Sequence, residues 1–183
     1  MENFDEIILK LKTKRVELAE GLSDSEVSTI ESELGFTFPE DLRQFLQTAV
    51  PEGGAFVNWR SVEDVRKRMD DVWEGIAFDI RVNSFWYEGW GEKPASLEDQ
   101  LRVAEEHYRT YPKLIPIYSH RYMPSSPTSA GNPVFSVYQM DIIYYGYDLA
   151  SYLEHEFDFR SYESLFSDEH PFRRIEFWSD VVG

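Results

Sequence analysis

Four histidines, 34 acidic side chains and no cysteine set the chemistry open to this 183-residue chain. Without a thiol there is no disulfide, no cysteine nucleophile and no zinc site of the thiolate kind. His155-Glu156 has the first two residues of a helix-borne zinc protease site. The second imidazole would have to stand four residues after His155, where the chain has Phe159, so two imidazoles cannot share one helical face. His120, Asp141 and either His107 or His155 are metal-ligating types, but no fixed spacing joins them, and a solvent-facing or hydrogen-bonded histidine is the better reading. A serine nucleophile needs a base beside it. Ser119-His120 are adjacent, strand alternation would turn them to opposite faces, and no G-x-S-x-G elbow is present. The acid pairs Asp70-Asp71 and Glu105-Glu106 fall on solvated helix faces, whereas a glycosidase pair must face across a cleft. Gly53-Gly54 lacks the further glycines and the lysine of a phosphate loop. The residues therefore point away from an enzyme, and no cofactor or metal is expected.

Binding needs less: a surface with aromatic anchors and unpaired polar groups. His120, Arg121 and Tyr122 leave the end of one strand, Asn132 closes the following loop, and Asp141, Tyr144 and Tyr145 come from a later strand. These are expected to converge at one sheet edge or face. Alternation places one of Tyr144 and Tyr145 in the core, and Asp141 has the alternative role of capping a turn. Trp86, Glu88 and Trp90 form a second candidate in a loop polar enough to be exposed; the alternative is a loop tucked over the sheet by its indoles.

The elements that position these residues follow from periodicity and punctuation. Phe4, Ile7, Ile8, Leu11 and Leu18 recur at helical spacing around the basic cluster Lys10 to Arg15, giving an amphipathic first helix with an ordinary solvated face. Ser23 and Glu26 form a capping box, Val27, Ile30 and Leu34 give the apolar stripe, and Gly35 stops the helix, which predicts residues 24–34. Pro39 opens a third helix whose buried side is Leu42, Phe45, Leu46 and Ala49; Pro51 and Gly53-Gly54 end it. Ala55 to Trp59 suits a short strand. Ser61 caps a long helix carrying Val62, Val65, Met69, Trp73, Ile76, Ala77 and Ile80. Ser84 to Pro94 is a loop, and Ser96 caps another helix through Leu97, Leu101, Ala104 and Tyr108 that ends before Pro112.

The run from Leu114 to Phe157 then reads as strand, loop, two strands and helix. Ile115 and Ile117 flank Pro116, Met123 to Asn132 is a Pro/Gly loop, and Val134 to Val137 and Ile142 to Tyr145 are extended. Asp148 to Phe157 returns to helical spacing. Tyr162, Leu165 and Phe166 point to a further short helix, and Ile175, Phe177 and Trp178 make the closing segment too apolar for a free tail.

Composition bounds the partners. A net charge of −16, from 34 acidic against 18 basic side chains, repels nucleic acid and anionic membranes and favours a basic partner, though surplus acid also keeps a protein soluble. Five Trp, eleven Tyr and thirteen Phe exceed what a core of this size uses, so some stand near the surface. The acids Glu2, Asp5 and Glu6 exclude a secretory signal at the start of the sequence, and no stretch nears the roughly 18–20 apolar residues of a membrane span. The expectation is one cytoplasmic domain over residues 1–183.

Leu34-Gly35-Phe36-Thr37-Phe38-Pro39-Glu40-Asp41-Leu42, continuing through Phe45-Leu46 to Gly53-Gly54, resembles the opening signature of the SUKH superfamily, named for a fungal cell-wall regulator family often called Smi/Knr. Leu114-Ile115-Pro116-Ile117, Gly131-Asn132-Pro133-Val134 and Asp141-Ile142-Ile143-Tyr144-Tyr145-Gly146 resemble its central strands. The chain departs from the short bacterial members by a helical and aromatic-loop insertion at about 66–113. The resemblance implies an α+β fold with a helical N-terminus and a twisted mixed sheet flanked by helices. It also implies a non-catalytic binding role: an immunity protein that blocks a cognate toxin domain in bacterial members, or a scaffold in cell-wall signalling in fungal ones. A hydrolase or metal-dependent enzyme centred on His120 and Asp141 is the remaining alternative.

Overall fold

The structure, a computed structural model, describes residues 4–161, 163 and 171–183. Helix α1 (Phe4–Thr13) buries Phe4, Ile7, Ile8 and Leu11 as its spacing requires. The helix does not carry on to Leu18. Arg15 takes a left-handed φ of 62° and turns the chain into β1 (Glu17–Glu20), which pairs antiparallel with β2 (Ala49–Glu52). Pro51 lies inside β2, opposite Leu18, a position tolerated because a two-stranded ribbon leaves an edge on which no amide is needed.

Helix α2 (Asp24–Leu34) has both halves of the Ser23–Glu26 capping box, and Gly35 closes it at φ 65°. Helix α3 (Glu40–Thr48) starts directly after Pro39. Residues 55–59, expected as a strand, make only an isolated bridge from Phe56 to Tyr118. Ser61 caps α4 (Val62–Val82) and Ser96 caps α5 (Leu97–Tyr108), each through its hydroxyl. The loop between them contains one 3-10 turn, Glu88–Trp90.

Four strands follow: β3 (Leu114–Tyr118), β4 (Arg121–Pro124), β5 (Val134–Tyr138) and β6 (Asp141–Gly146), in the spatial order β3-β4-β5-β6. The α+β class stands, but every strand pairing among the described residues is antiparallel rather than mixed. The links explain it: only two residues join β3 to β4 and β5 to β6, and a parallel pair needs a crossover of about a dozen or more. Strand β4 was hidden because Ser119-His120 is a turn, with Ser119 left-handed at φ 49°, and not a continuation of β3. Helix α6 (Leu149–Glu156) is capped by Asp148 and Ser151 reciprocally.

The register gives the sheet two faces. Arg121, Ser136 and Ile143 align on one, and Tyr122, Phe135 and Tyr144 on the other. Ile115, Met123 and Val134 pack the first face against α1, α2, α3 and α6. Leu114, Phe135, Val137 and Ile142 pack the second against α4, α5, Trp90 and the closing segment. That segment is anchored as its composition demanded: Trp178 is buried and donates its indole N–H to Pro112 O at 2.7 Å, and Phe177 stacks on Tyr111 at 4.4 Å. Each large apolar side chain buried this way contributes about 1.5–3 kcal/mol. The short helix expected through Tyr162, Leu165 and Phe166 lies outside the described residues.

Candidate protein-binding cleft

Helix α4 lies against the tips of both hairpins, and between them opens a cleft of about 560 Å³ walled by Arg68, Asp71, Ser119, His120, Tyr138 and Gln139. Sequence-local devices build each wall. Gly75 brings α4 close to the β5–β6 tip, since a Cβ there would come within 3.0 Å of Gln139 Cα. One turn on, buried Asp79 accepts from the Met140 amide at 2.7 Å and from the Asn83 side-chain amide, which ties that tip to the helix. The β3–β4 tip is held from the sheet side, where Val137 donates to the His120 carbonyl at 2.9 Å.

Tyr122 forms the floor. Its hydroxyl donates to Arg68 O at 3.0 Å, and burial, with the Asp71 charge nearby, pushes its pKa up to about 12. His120 Nδ1 and Ser119 Oγ are 3.0 Å apart. Partial burial, and secondarily the Arg121 charge, hold the His120 pKa below its ordinary value, against an upward pull from Glu156. The imidazole is neutral at pH 7. Ser119 and His120 thus touch, contrary to the opposite-face expectation, because they share a turn; among the described residues no carboxylate hydrogen-bonds to His120 to complete a relay. Among the described residues no group of three or more His, Asp or Glu is arranged to hold a metal ion.

Directly behind His120, Arg121 lies 3.7 Å above the Tyr145 ring, donates to Glu156 Oε2 at 3.1 Å and to Ser136 Oγ at 2.9 Å. The pair is largely enclosed, with side-chain exposures of 10% for Arg121 and 15% for Glu156. Tyr152, in the core beside this pair, has a hydroxyl with no hydrogen-bond partner among the described residues.

The structure brings only some of the expected residues together. His120, Arg121 and Asp141 fall at or beside the tips, and Tyr145 lies under Arg121 on the same face but at the opposite end of β6; Asp141 is exposed and pairs in register with Tyr138. Tyr122 reaches the cleft only as its buried floor. Tyr144 is turned to the opposite face, stacked 3.9 Å from Phe172 and bonded to Ser179 Oγ at 2.7 Å. Asn132, 0% exposed at the far end of β5, donates to Pro124 O and Pro127 O and accepts from Arg173, so it fastens the 125–133 loop and offers no surface. Trp90 is buried against Phe177, and Trp86 is half-buried with its N–H on Gly91 O, which is the tucked-loop alternative; Glu88 alone of that trio is exposed. The sequence places Asp71 on a solvated helix face, where it stands, without marking it as a cleft residue, and it does not single out Tyr138. Gly75, an isolated glycine in a helical pattern, was the available signal of a close backbone approach.

A six-helix α+β architecture with a four-stranded antiparallel sheet, among the described residues, is of the SUKH type. Residues 21–177 match the SMI1/KNR4 family (SUKH-1), and the chain belongs to that family. No curated protein and no solved structure matches it. Proteins of this family are generally non-catalytic and bind protein partners. No described helix is long and apolar enough to cross a membrane.

Proposed function

We propose that this chain is an immunity protein, acting in the cytoplasm by stoichiometric binding to a toxin domain with a basic surface, such as a nuclease. The observation that carries the reading is where the charge stands. Arg43, Arg60, Arg66, Arg81, Arg102, Arg109 and Arg174 each pair with a carboxylate of the chain itself. The outer field is therefore set by exposed acids left over, among them Glu63, Asp70, Asp71, Glu98 and Asp141, in a chain of net charge −16. Such a surface steers a basic partner and occludes the groove in which a nuclease would hold its anionic substrate. His120, Asp141 and Tyr138 at the hairpin tips are the contacts we assign, with Tyr145 on the same face beneath Arg121 and with Trp86 and Glu88 as a second patch. Residues 1–183 work as one domain in this reading, supported by two cores that share one sheet.

Co-expression with the toxin domain encoded beside its gene tests it. A co-purifying complex and rescued growth are expected. No complex and no rescue would overturn immunity and leave the scaffold role of cell-wall signalling.

A further inference from the structure

Trp59 carries a donor that the fold leaves unanswered. Its side chain is packed into the first core, beside Phe38 with ring centroids 5.4 Å apart, and the residue is only 3% exposed. Its indole N–H nevertheless has no acceptor among the described residues, whereas the buried indoles of Trp90 and Trp178 donate to Tyr111 Oη and to Pro112 O. The one side-chain polar atom among the described residues that is both enclosed and unpartnered is the Tyr152 hydroxyl, so the Trp59 N–H stands in the sliver of that residue that reaches the surface.

Two hollows of about 210 and 270 Å³ meet there, and Trp59 and Arg60 line both. Phe56 and Val57 give the first an apolar wall, and Ile30 and Val62 the second. Their charge turns an anion away. Glu52 lines one and Glu26 the other against Arg60 alone, and Arg60 already donates to Glu26 Oε1 and Glu20 O, both at 2.9 Å. The group suited to the indole N–H is therefore a neutral acceptor, of which the backbone carbonyl is the commonest in a protein. The hollows also continue the surface assigned to the partner. Ser119 donates its amide to Ala55 O at 2.9 Å, and Phe56 forms the bridge to Tyr118, so the β3–β4 tip that bears His120 stands next to the first hollow.

We propose that an extended segment of the protein partner lies along these hollows, with one of its backbone carbonyls accepting the Trp59 indole N–H and with basic or neutral side chains beside it. The inference deepens the reading of a basic partner and rests on it. An extended segment fits because its carbonyls are unspent, whereas those of a helix are bonded within the helix. A second copy of this chain is disfavoured, since it would bring a net charge of −16 against Glu26 and Glu52.

The test follows the indole N–H signals of isotope-labelled protein by NMR, with that of Trp59 assigned through its own backbone. In the complex with the toxin domain the Trp59 proton is expected to shift downfield and to exchange more slowly with solvent, as a proton entering a hydrogen bond does. Trp59→Phe keeps an aromatic ring in the core and removes the donor; it is expected to weaken the complex about five- to tenfold by leaving the carbonyl unpaired. A complex in which the Trp59 signal neither moves nor slows, or one undiminished by a folded Trp59→Phe, overturns the proposal and leaves immunity standing. The wild-type signal decides the matter even where Trp59→Phe does not fold. If no complex forms, immunity fails and the blocked peptide acetyl-Lys-Ala-Lys-amide tests the hollows alone. A saturable shift of the Trp59 signal, weaker with acetyl-Glu-Ala-Glu-amide, supports the site; an equal response to both peptides, or none at tens of millimolar, overturns it.

Discussion

Replacing Arg121 by alanine removes more than a charge. Three interactions go at once: a hydrogen bond to the carboxylate of Glu156 at 3.1 Å, one to the Ser136 hydroxyl at 2.9 Å, and the stack on Tyr145 at 3.7 Å. Central values are about 2 kcal/mol for a bond to a charged group, about 1 for a neutral one and about 1–2 for an enclosed cation over a ring. The sum, about 4–5 kcal/mol, overstates the net worth of the pair because Arg121 also gave up water. It nonetheless approximates the cost of truncation, since Glu156, with 15% exposure, is then left charged and unpartnered. At a urea slope of about 2–3 kcal/mol/M the midpoint should fall by about 1.5–2 M. The companion experiment is the double variant Arg121→Met, Glu156→Leu, which removes both charges and keeps the volume. It should recover most of the loss and leave a deficit of about 1 kcal/mol. If Arg121→Ala moves the midpoint by less than a few tenths molar, the pair is not the support of the His120 tip that the geometry makes it. If the double variant is as unstable as the two single ones added, the coupling between the charges is refuted.

Gly146→Ala should be severe, because the new Cβ would lie 2.5 Å from Tyr152 Cβ and 2.8 Å from its Cα, and backbone cannot step aside; a loss of about 3 kcal/mol lowers Tm by about 6–12 °C. Ser23→Ala removes the capping box of α2 and should cost about 1 kcal/mol in a chemical denaturation curve. Asp79→Ala leaves the Met140 amide without its acceptor, costs about 2 kcal/mol, and should raise hydrogen exchange at that amide ahead of the rest of the sheet. Burial raises the pKa of Tyr122 to about 12 and those of Tyr108 and Tyr152 as well. An acid held protonated in the folded chain contributes stability that is full below the ordinary value of 10 and is lost as pH rises toward 12. Unfolding free energy should therefore fall across that window, with tyrosinate absorbance from these rings appearing only as the chain unfolds.

What could be read along the chain was whatever is decided within a turn of helix. The hydroxyls of Ser23, Ser61 and Ser96 cap where they were expected to, and Gly35 stops α2, because a cap is settled by residues three positions apart. The turns at Arg15 and Ser119 were opaque because neither has the glycine or asparagine that announces a left-handed residue; surrounding packing imposes it, and β1 and β4 stayed hidden as a result. The cleft was half legible. His120 was found through its strand end, whereas Asp71 and Tyr138 are distant in sequence and meet only because Gly75 and Asp79 fasten a helix to a hairpin tip. Asn132 and Trp90 misled for a related reason: polarity and a loop address resemble those of a contact residue, and burial becomes visible only when the closing segment is seen lying on them.

The hairpin tips also bear on how such a protein could be re-aimed. Ser119, His120, Tyr138 and Asp141 are exposed, while Tyr122, Val137 and Ile142, which fix the strands beneath them, are buried. Changes at exposed positions usually move stability by less than about 0.5 kcal/mol, whereas those at the buried three would disturb a core. A combinatorial library confined to the four outer positions, with Ser119 limited to residues that accept its φ of 49°, would sample many recognition surfaces on one constant scaffold. Selection from it would then report on partner choice alone, with foldedness removed as a confounding variable.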